Sequence, residues 1–455
     1  MRSDTRTRSF RGGIHPEEDG KSLTSAAPIR PFLPKGEAVY PLSQHIGAPA
    51  VPVVAPGDRV LVGQPIAAPD GFVSAAICSA VSGTVREIRR VRTAAGRETD
   101  AVAIENDGQF TPVDGFDTPR DPADMTADEI LSAIRDAGIV GQGGAGFPTH
   151  VKLTVKPGQE PDTVIVNGAE CEPYLTSDLR LMLEQPERLL AGLDVVLRLF
   201  PKAQGVIAIE DNKPEAIARL TAQARTHERV RVQRLKTKYP QGGERMLIHA
   251  VTGRDICSSR LPIAAGCIVL NVSTIISICL AVCRRVPQIA TVMTVTGDGA
   301  AAPCNLRVPT GSSHREVLEA AGGIKPGAQP EKIVSGGPMM GIALPDLDVP
   351  VVKTSSSLLL LCHDEVAAWE PTACIRCGRC VRACPERLVP AELAKKADSG
   401  DLAAYERLGG MECIECGCCT VVCPAKRRLT QSFKYARAAV AAERRAAAAR
   451  AKKEG

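Results

Sequence analysis

Aromatic side chains are scarce, with one Trp, five Tyr and eight Phe among 455 residues. The cores must therefore be filled by Val, Ile, Leu and Ala, and no aromatic-plus-basic stripe of the kind that binds nucleic acid is present. The net charge is small as well, +5, which also argues against nucleic acid as a partner. A long apolar run is missing. The longest candidate, Cys267 to Cys283 (CIVLNVSTIISICLAVC), is broken by Asn271, Ser273, Thr274 and Ser277, and a membrane span needs about 20 apolar residues. No transmembrane helix is expected, so membrane contact would come through partners or a surface. The N-terminus, MRSDTRTRSFRGGIHP, lacks the apolar segment of a secretory signal. Lysine is absent between Lys35 and Lys152, which excludes a lysine-linked prosthetic group there.

Against these absences stand seventeen cysteines. Without an export signal the thiols are expected to stay reduced, and clustered cysteines then point to metal rather than disulfides. Eight of them form a repeat offset by 39 residues: Cys374-x2-Cys377-x2-Cys380-x3-Cys384-Pro385 and Cys413-x2-Cys416-x2-Cys419-x3-Cys423-Pro424. This is the spacing of a protein that carries two [4Fe–4S] clusters. Three thiolates at short steps wrap one cluster, and the fourth lies beyond a turn and reaches the other. Cys374, Cys377, Cys380 and Cys423 are thus expected on one cluster, and Cys413, Cys416, Cys419 and Cys384 on the other. Two zinc sites of four thiolates each are the alternative. Cys418 lies off the spacing and reads as a bystander. Cys257, Cys267, Cys279 and Cys283 sit in apolar sequence and read as inert thiols.

The fold class expected is multidomain α/β. Residues 1–37 form a polar N-terminal extension that wraps over another domain. Residues 38–108 alternate short Val/Ile runs with Gly/Asp turns, an all-β pattern similar to the barrel-sandwich of biotinyl and lipoyl domains, here an unmodified scaffold. A Pro/Asp/Gly-rich linker covers 109–124. Residues 125–290 alternate strands (163–168, 205–211) with helices, the first capped by Asp124 or Thr126, which argues for an α/β domain on a parallel sheet. Residues 291–350 read as a small unit of strands around one helix at 314–321. The cysteine segment covers 362–425. The tail, 426–455, has ten Lys/Arg against two Glu and reads as a basic helix, either solvated or touching anionic lipid or an acidic partner.

Residues 141–152 read GQGGAGFPTHVK. The glycines let a backbone approach a flat or phosphorylated ligand closely, and Lys152 offers a cation; an ordinary turn is the alternative. The segment resembles the flavin loop of the NADH-binding subunit of respiratory complex I. Three more segments are similar to that family in the same order: VIVNGAECEP (164–173), YPQGGE (239–244) and VLNVST (269–274). The resemblance implies FMN with NADH stacked above it. Gly141, Gly143, Gly144 and Lys152 would line the phosphate and ribityl chain. Asn167, Glu170, Tyr239, Gly242, Asn271 and Thr274 would complete the FMN pocket. Phe147, Glu172 and Glu244 would face the nicotinamide nucleotide. Ala169, Gly243, Leu270 and Val155 depart from the complex I pattern and put the NADH contacts in doubt. Phe147 as a packing residue and Tyr239 as a core residue stay open.

Over residues 8–425 the chain resembles the C component of the Rnf electron-transport complex. GGIHP (12–16), barrel-sandwich, FMN/NADH domain, a β-grasp unit with SGGPMMG (335–341) and a double-cluster ferredoxin segment follow in that family's order. The resemblance implies a peripheral subunit on the cytoplasmic side of the inner membrane. It exchanges electrons between NADH and other subunits of a translocase that couples ferredoxin:NAD oxidoreduction to ion movement, in some bacteria to supply nitrogen fixation. A hydride carries two electrons and a cluster takes one, so a flavin belongs between them. No catalytic acid/base or nucleophile set is evident. Other readings are a flavin and iron–sulfur cobalamin reductase of a microcompartment, and a wiring subunit without catalysis.

Overall fold

A computed structural model of the chain describes residues 6–16 and 19–454, with side chains to 450. The start of the expected N-terminal extension and the Lys452 and Lys453 side chains of the tail lie outside the described residues.

The central domain is built on a parallel sheet of four strands, Thr163–Gly168, Gln204–Glu210, Val230–Leu235 and Cys267–Asn271. Their spatial order places Cys267–Asn271 on one side of Thr163–Gly168 and the other two strands on the opposite side. The chain therefore reverses its winding direction at the carboxyl end of Thr163–Gly168, and such a switch point opens a crevice for ligands. The strands read as apolar runs because both faces are covered. One face carries helices Ala127–Asp136, Pro186–Leu199 and Val272–Arg284, packed through Ile130, Leu193, Ile275 and Val282. The other carries Glu244–Thr252, through Leu247, Ile248 and Val251. Thr126, not Asp124, caps the first helix, with Glu129 closing a capping box.

The barrel-sandwich consists of a sheet built on Ala38–Pro41, Glu98–Asn106 and Gly83–Arg92 and a second of three short strands. The 109–124 segment lies on this domain, because Phe110 and Phe116 pack against its core. The β-grasp sheet has six strands. Its central strand is Ser357–Leu361, beyond the 350 boundary expected from sequence, and it pairs with Ala290–Thr296 and Lys332–Ser335. SLLLL falls between the expected domains, because its partners in the sheet are distant in sequence. An edge strand of this sheet, Ile29–Pro31, comes from the N-terminal segment and runs parallel to Cys304–Pro309.

The cluster domain holds the two motifs, joined by helices Pro390–Asp398 and Leu402–Arg407. The tail is one helix, Leu429–Glu454, and its first turns belong to this core: Leu429, Phe433, Ala436 and Val440 are buried with Leu393 and Tyr405. From 442 to 450 it is exposed. Among the described residues no helix is long and apolar enough to cross a membrane.

Candidate functional site

The three remote segments singled out beside the glycine loop meet it at the switch point. Asn167 and Asn271, from separate motifs, are register partners at the carboxyl ends of adjacent strands. Asn167 donates from Nδ2 to the Gly242 carbonyl at 2.9 Å, which draws the 239–244 loop over the strand end. Asn271 caps the Val272–Arg284 helix through Ser273 N–H at 2.7 Å. Thr274, fully buried, accepts the Gln142 N–H at 2.9 Å and anchors the glycine loop to that helix. Gly143 has φ +68, and a Cβ there would stand 2.8 Å from the Asn271 amide, so the loop can lie this close only as glycine. Gly144 faces open space. Gly141 closes the turn through its N–H to the Phe147 carbonyl at 2.8 Å, and Phe147 is half-buried.

Lys152 reaches out of the loop's helix to Glu244 Oε1 at 3.0 Å and the Val269 carbonyl at 2.9 Å. Both partners of the ion pair are partly exposed at the mouth of the crevice. The barrel-sandwich supports the loop from outside. Ile46 N–H donates to the Gly146 carbonyl at 3.2 Å, and the Phe72 ring meets His150 edge-on at 6.0 Å.

Two of the expected residues, Glu170 and Glu172, also hold backbone here. Glu170 is half-buried, and its carboxylate accepts from Asp178 N–H at 2.7 Å and Leu179 N–H at 3.3 Å, holding the start of the Ser177–Glu184 helix. Glu172 accepts from Met339 and Met340 N–H at 3.1 and 2.8 Å, so it joins the strand-end loop to the SGGPMMG loop of the β-grasp domain. Burial pushes its carboxyl up to about 7. Both carboxylates thus hold backbone N–H groups of the loops around the strand end. Sequence reasoning misses Asp178. Its Oδ2 accepts from Asn271 at 2.7 Å and its Oδ1 from Ser273 at 3.2 Å, and burial, with Glu170 adding to it, pushes its carboxyl up to about 7. Two buried lysines fix the same loop: Lys21 donates to the carbonyls of Glu170, Glu172 and Leu175, and Lys213 to that of Ala169. No local signal in the sequence marks them.

The crevice fits a bound flavin by its donors. An open glycine loop, the Lys152 ammonium and a helix start converge there. The Tyr239 hydroxyl and both amide atoms of Gln241 are buried without a hydrogen-bond partner among the described residues. Buried polar atoms are rarely left unpaired, so the 239–244 loop has capacity to serve a ligand.

Tyr239 also ties this crevice to the cluster domain. It is buried with Ala383, Cys416 and Cys418, and Ile14, Cys171, Met339 and Ile414 pack around them. Cys418 packs in this junction: it is 1% exposed, and its thiol points at the Tyr239 carbonyl at 3.8 Å. The N-terminal segment clips the junction. Gly13 N–H donates to the Ala383 carbonyl at 2.9 Å, and Ile14 and Tyr239 exchange backbone hydrogen bonds of 2.8 and 2.9 Å. Gly12, at φ +78, lies so near Cys384 that a Cβ would stand 2.7 Å from the Cys384 carbonyl oxygen.

Cys384, Cys413, Cys416 and Cys419 surround one hollow, floored by Leu393 and Phe433. Burial raises the thiol of Cys413 to about 11 and that of Cys419 to about 12, and like charge from Cys416 and Cys384 adds to both. Two backbone donors aim at these sulfurs, Glu415 N–H at Cys413 (3.3 Å) and Leu388 N–H at Cys384 (3.4 Å). Such hydrogen bonds help set a cluster's potential. In the first motif Cys374 and Cys377 are exposed, Cys380 is half-buried and within electrostatic reach of Cys374, and Cys423 is half-buried at the end of the Cys418–Val421 turn. Among the described residues no three metal-ligating side chains close on a single ion; the second set lines a hollow instead. Eight thiols in this double arrangement fit two clusters.

Similarity to known proteins agrees with this geometry. Residues 8–109 match the RnfC barrel sandwich hybrid domain, 134–280 the Nuo51 FMN-binding domain, 292–343 the SLBB domain and 373–428 the 4Fe–4S dicluster domain. The chain is 44% identical to the C component of the proton-translocating ferredoxin:NAD(+) oxidoreductase complex of Clostridium ljungdahlii, over 98% of this chain and 96% of that protein. It is 41% identical to its Na(+)-translocating counterpart in Acetobacterium woodii, over 96% and 98%. A solved chain of an NAD+-reducing [NiFe]-hydrogenase aligns at 20% identity with a TM-score of 0.49, over 69% of this chain and 66% of that one. Domain order, cofactor domains and identity along nearly the whole length place the chain in the RnfC family, the C components of ion-translocating ferredoxin:NAD(+) oxidoreductase complexes.

Proposed function

We propose that this chain is the peripheral, NADH-facing subunit of a membrane-bound complex that couples electron transfer between NADH and ferredoxin to ion translocation. The observation that carries the reading is the junction at Tyr239. One loop, 239–244, lies on the crevice through Gly242 and on the buried cysteine set through Tyr239. A flavin supplies the exchange between hydride chemistry and single electrons. The chain's own work is to hold it. The glycine loop gives backbone access, Lys152 offers charge to a phosphate, and Asn167, Asn271 and Thr274 fix the loops around it. Phe147, half-buried on the glycine loop, and Glu244, paired with Lys152, are the groups on this reading that face a nicotinamide nucleotide. The apolar packing of Tyr239, Ile14 and Met339 keeps water out of the path to the cluster domain.

The chain holds no spanning helix among its described residues, so on this reading attachment on the cytoplasmic side of the inner membrane, and ion movement itself, belong to partner subunits. Supply of low-potential electrons to nitrogen fixation is a finer proposal, checked by growth of a deletion strain on dinitrogen. The central test is reconstitution of the full chain, without oxygen, with iron, sulfide and FMN. NADH is expected to bleach the flavin and raise a reduced-cluster EPR signal. FMN and clusters that are bound yet silent towards NADH leave only the wiring role.

A further inference from the structure

The two motifs repeat in backbone as well as spacing. Arg376 and Glu415 both take left-handed φ, 55 and 56; so do Gly378 and Gly417, 73 and 84, and Arg387 and Lys426, 56 and 51. A shift of 39 residues thus maps Ile375 onto Ile414 and Arg379 onto Cys418. In the second motif that face is covered: Ile414 and Cys418 pack at Tyr239 and Met339, on the side of the flavin crevice. In the first motif the same face is bare. Residues 370–377 are exposed without a break, and Ile375 is 68% exposed.

The bare face also differs in charge. Arg376, Arg379, Arg382 and Arg387 are all exposed against one exposed acid of residues 370–387, Glu370, and the one acid between Cys374 and Arg387, Glu386, is turned to Arg245 at 3.2 Å. Nearby Glu392 pairs with Lys395 at 2.7 Å and also lies within electrostatic reach of Arg376. Ile375 and Val381 supply apolar surface among the arginines, the arrangement of a protein interface with a charged rim. Electron exchange falls steeply with distance, so the centre held at Cys374 and Cys377 trades electrons with whatever sits on this face.

We propose that Ile375, Arg376, Arg379 and Arg382 form the docking surface for an acidic, one-electron carrier protein. The inference rests on the electron-relay reading above. It specifies where the second partner stands: the first motif offers it the face that the second motif offers the flavin domain. One electron crosses per encounter; the centre on one side of the face is oxidised by one electron, the other is reduced by one, and no atom changes place.

The test uses the full chain loaded with FMN and clusters and an acidic bacterial two-cluster ferredoxin as probe. Two quantities are read: the dissociation constant, and the second-order rate of electron exchange at rising salt. For the wild-type chain both are expected to weaken steeply as salt screens the arginines. The R376E/R379E/R382E chain is expected to lose at least tenfold in each at low salt, and Arg379→Gln a smaller part. Iron content, NADH bleaching of the flavin and reduction of a neutral quinone should stay as in wild type. An Arg90→Glu change on the barrel-sandwich should alter nothing. If NADH fails to reduce the wild-type flavin and clusters, the relay reading falls. If NADH reduces them but ferredoxin binding ignores salt and the arginine changes, the docking proposal falls alone. Arginine-dependent binding to phosphatidylglycerol vesicles, with ferredoxin exchange unchanged, would make the face a membrane contact and overturn it too.

Discussion

Cys374-Ile375-Arg376-Cys377 and Cys413-Ile414-Glu415-Cys416 trace one backbone twice, yet one copy is exposed and the other enclosed. The enclosed copy lies against Tyr239, the N-terminal clip and the tail helix. The exposed copy is bordered by arginines. The difference comes from side chains that the spacing rule does not mention. Glu415 pairs with Arg437 of the tail at 2.7 Å, and Cys418 is small and apolar enough to be buried at Tyr239. Their counterparts Arg376 and Arg379 carry charge that costs too much to bury unpaired. A duplicated fold has thereby acquired an inward and an outward side.

The sharpest way to break this comparison is to remove the two crossing thiols one at a time. Cys384→Ala should cost the enclosed cluster, leaving about four irons per chain, and should leave the exposed cluster silent to NADH. Cys423→Ala should cost the exposed cluster and leave the enclosed one responsive. Iron analysis and EPR after NADH check both, and equal behaviour of the two variants would erase the inward–outward distinction. Next in size is Phe433→Ala. Phe433 is 1% exposed and floors the enclosed hollow beside Tyr405, at a ring separation of 6.3 Å. Its truncation should destabilise the cluster domain by about 3–5 kcal/mol, read as a lower denaturant midpoint for bleaching of cluster absorbance. An equal loss at the exposed Ile375→Ala would contradict the burial pattern.

A smaller effect is expected at the crevice. Lys152→Ala should weaken FMN binding by roughly 10- to 100-fold, the loss of a charged hydrogen bond of about 1.5–3 kcal/mol, with iron content unchanged. Fluorescence titration with FMN measures it. A last effect concerns pH. Asp178 titrates near 3.8 when unfolded and is pushed up to about 7 by burial. Between those values the folded chain holds a proton that the unfolded chain releases. Asp178 therefore contributes stability at low pH that is lost as pH rises through 7. Asp178→Asn should flatten that part of the stability profile in denaturant unfolding at several pH values; an unchanged slope would mean that water reaches the carboxyl.

The two regions also differ in how far the sequence discloses them. Ligand spacing is local chemistry, so the cysteine repeat can be read directly, and the glycine loop can be read because close approach demands glycine. Burial is not local. Nothing in CIRCGRC or CIECGCC says which copy is covered, because the cover comes from Tyr239 and from the N-terminal segment. Resemblance singles out Glu170 and Glu172, but it does not disclose the backbone N–H groups at Asp178 and Met340 that these carboxylates accept. Lys21, Lys213 and Asp178 are illegible in the sequence for the same reason: their partners are set by the fold. The strand Ser357–Leu361 hides because its neighbours in the sheet lie far from it along the chain.

The Gly12–Gly13 clip has a consequence for biosynthesis. Gly12 leaves the ribosome early, while Cys384, which it touches, follows about 370 residues later. At roughly 5–20 residues per second the clip waits some tens of seconds for its seat. The barrel-sandwich and the α/β domain have their whole sequences before that moment, and the cluster domain does not. The clip can therefore pair with Tyr239 before its contact with Ala383 and Cys384 exists, so the N-terminal segment lies on the α/β domain first and the first cysteine motif folds onto it.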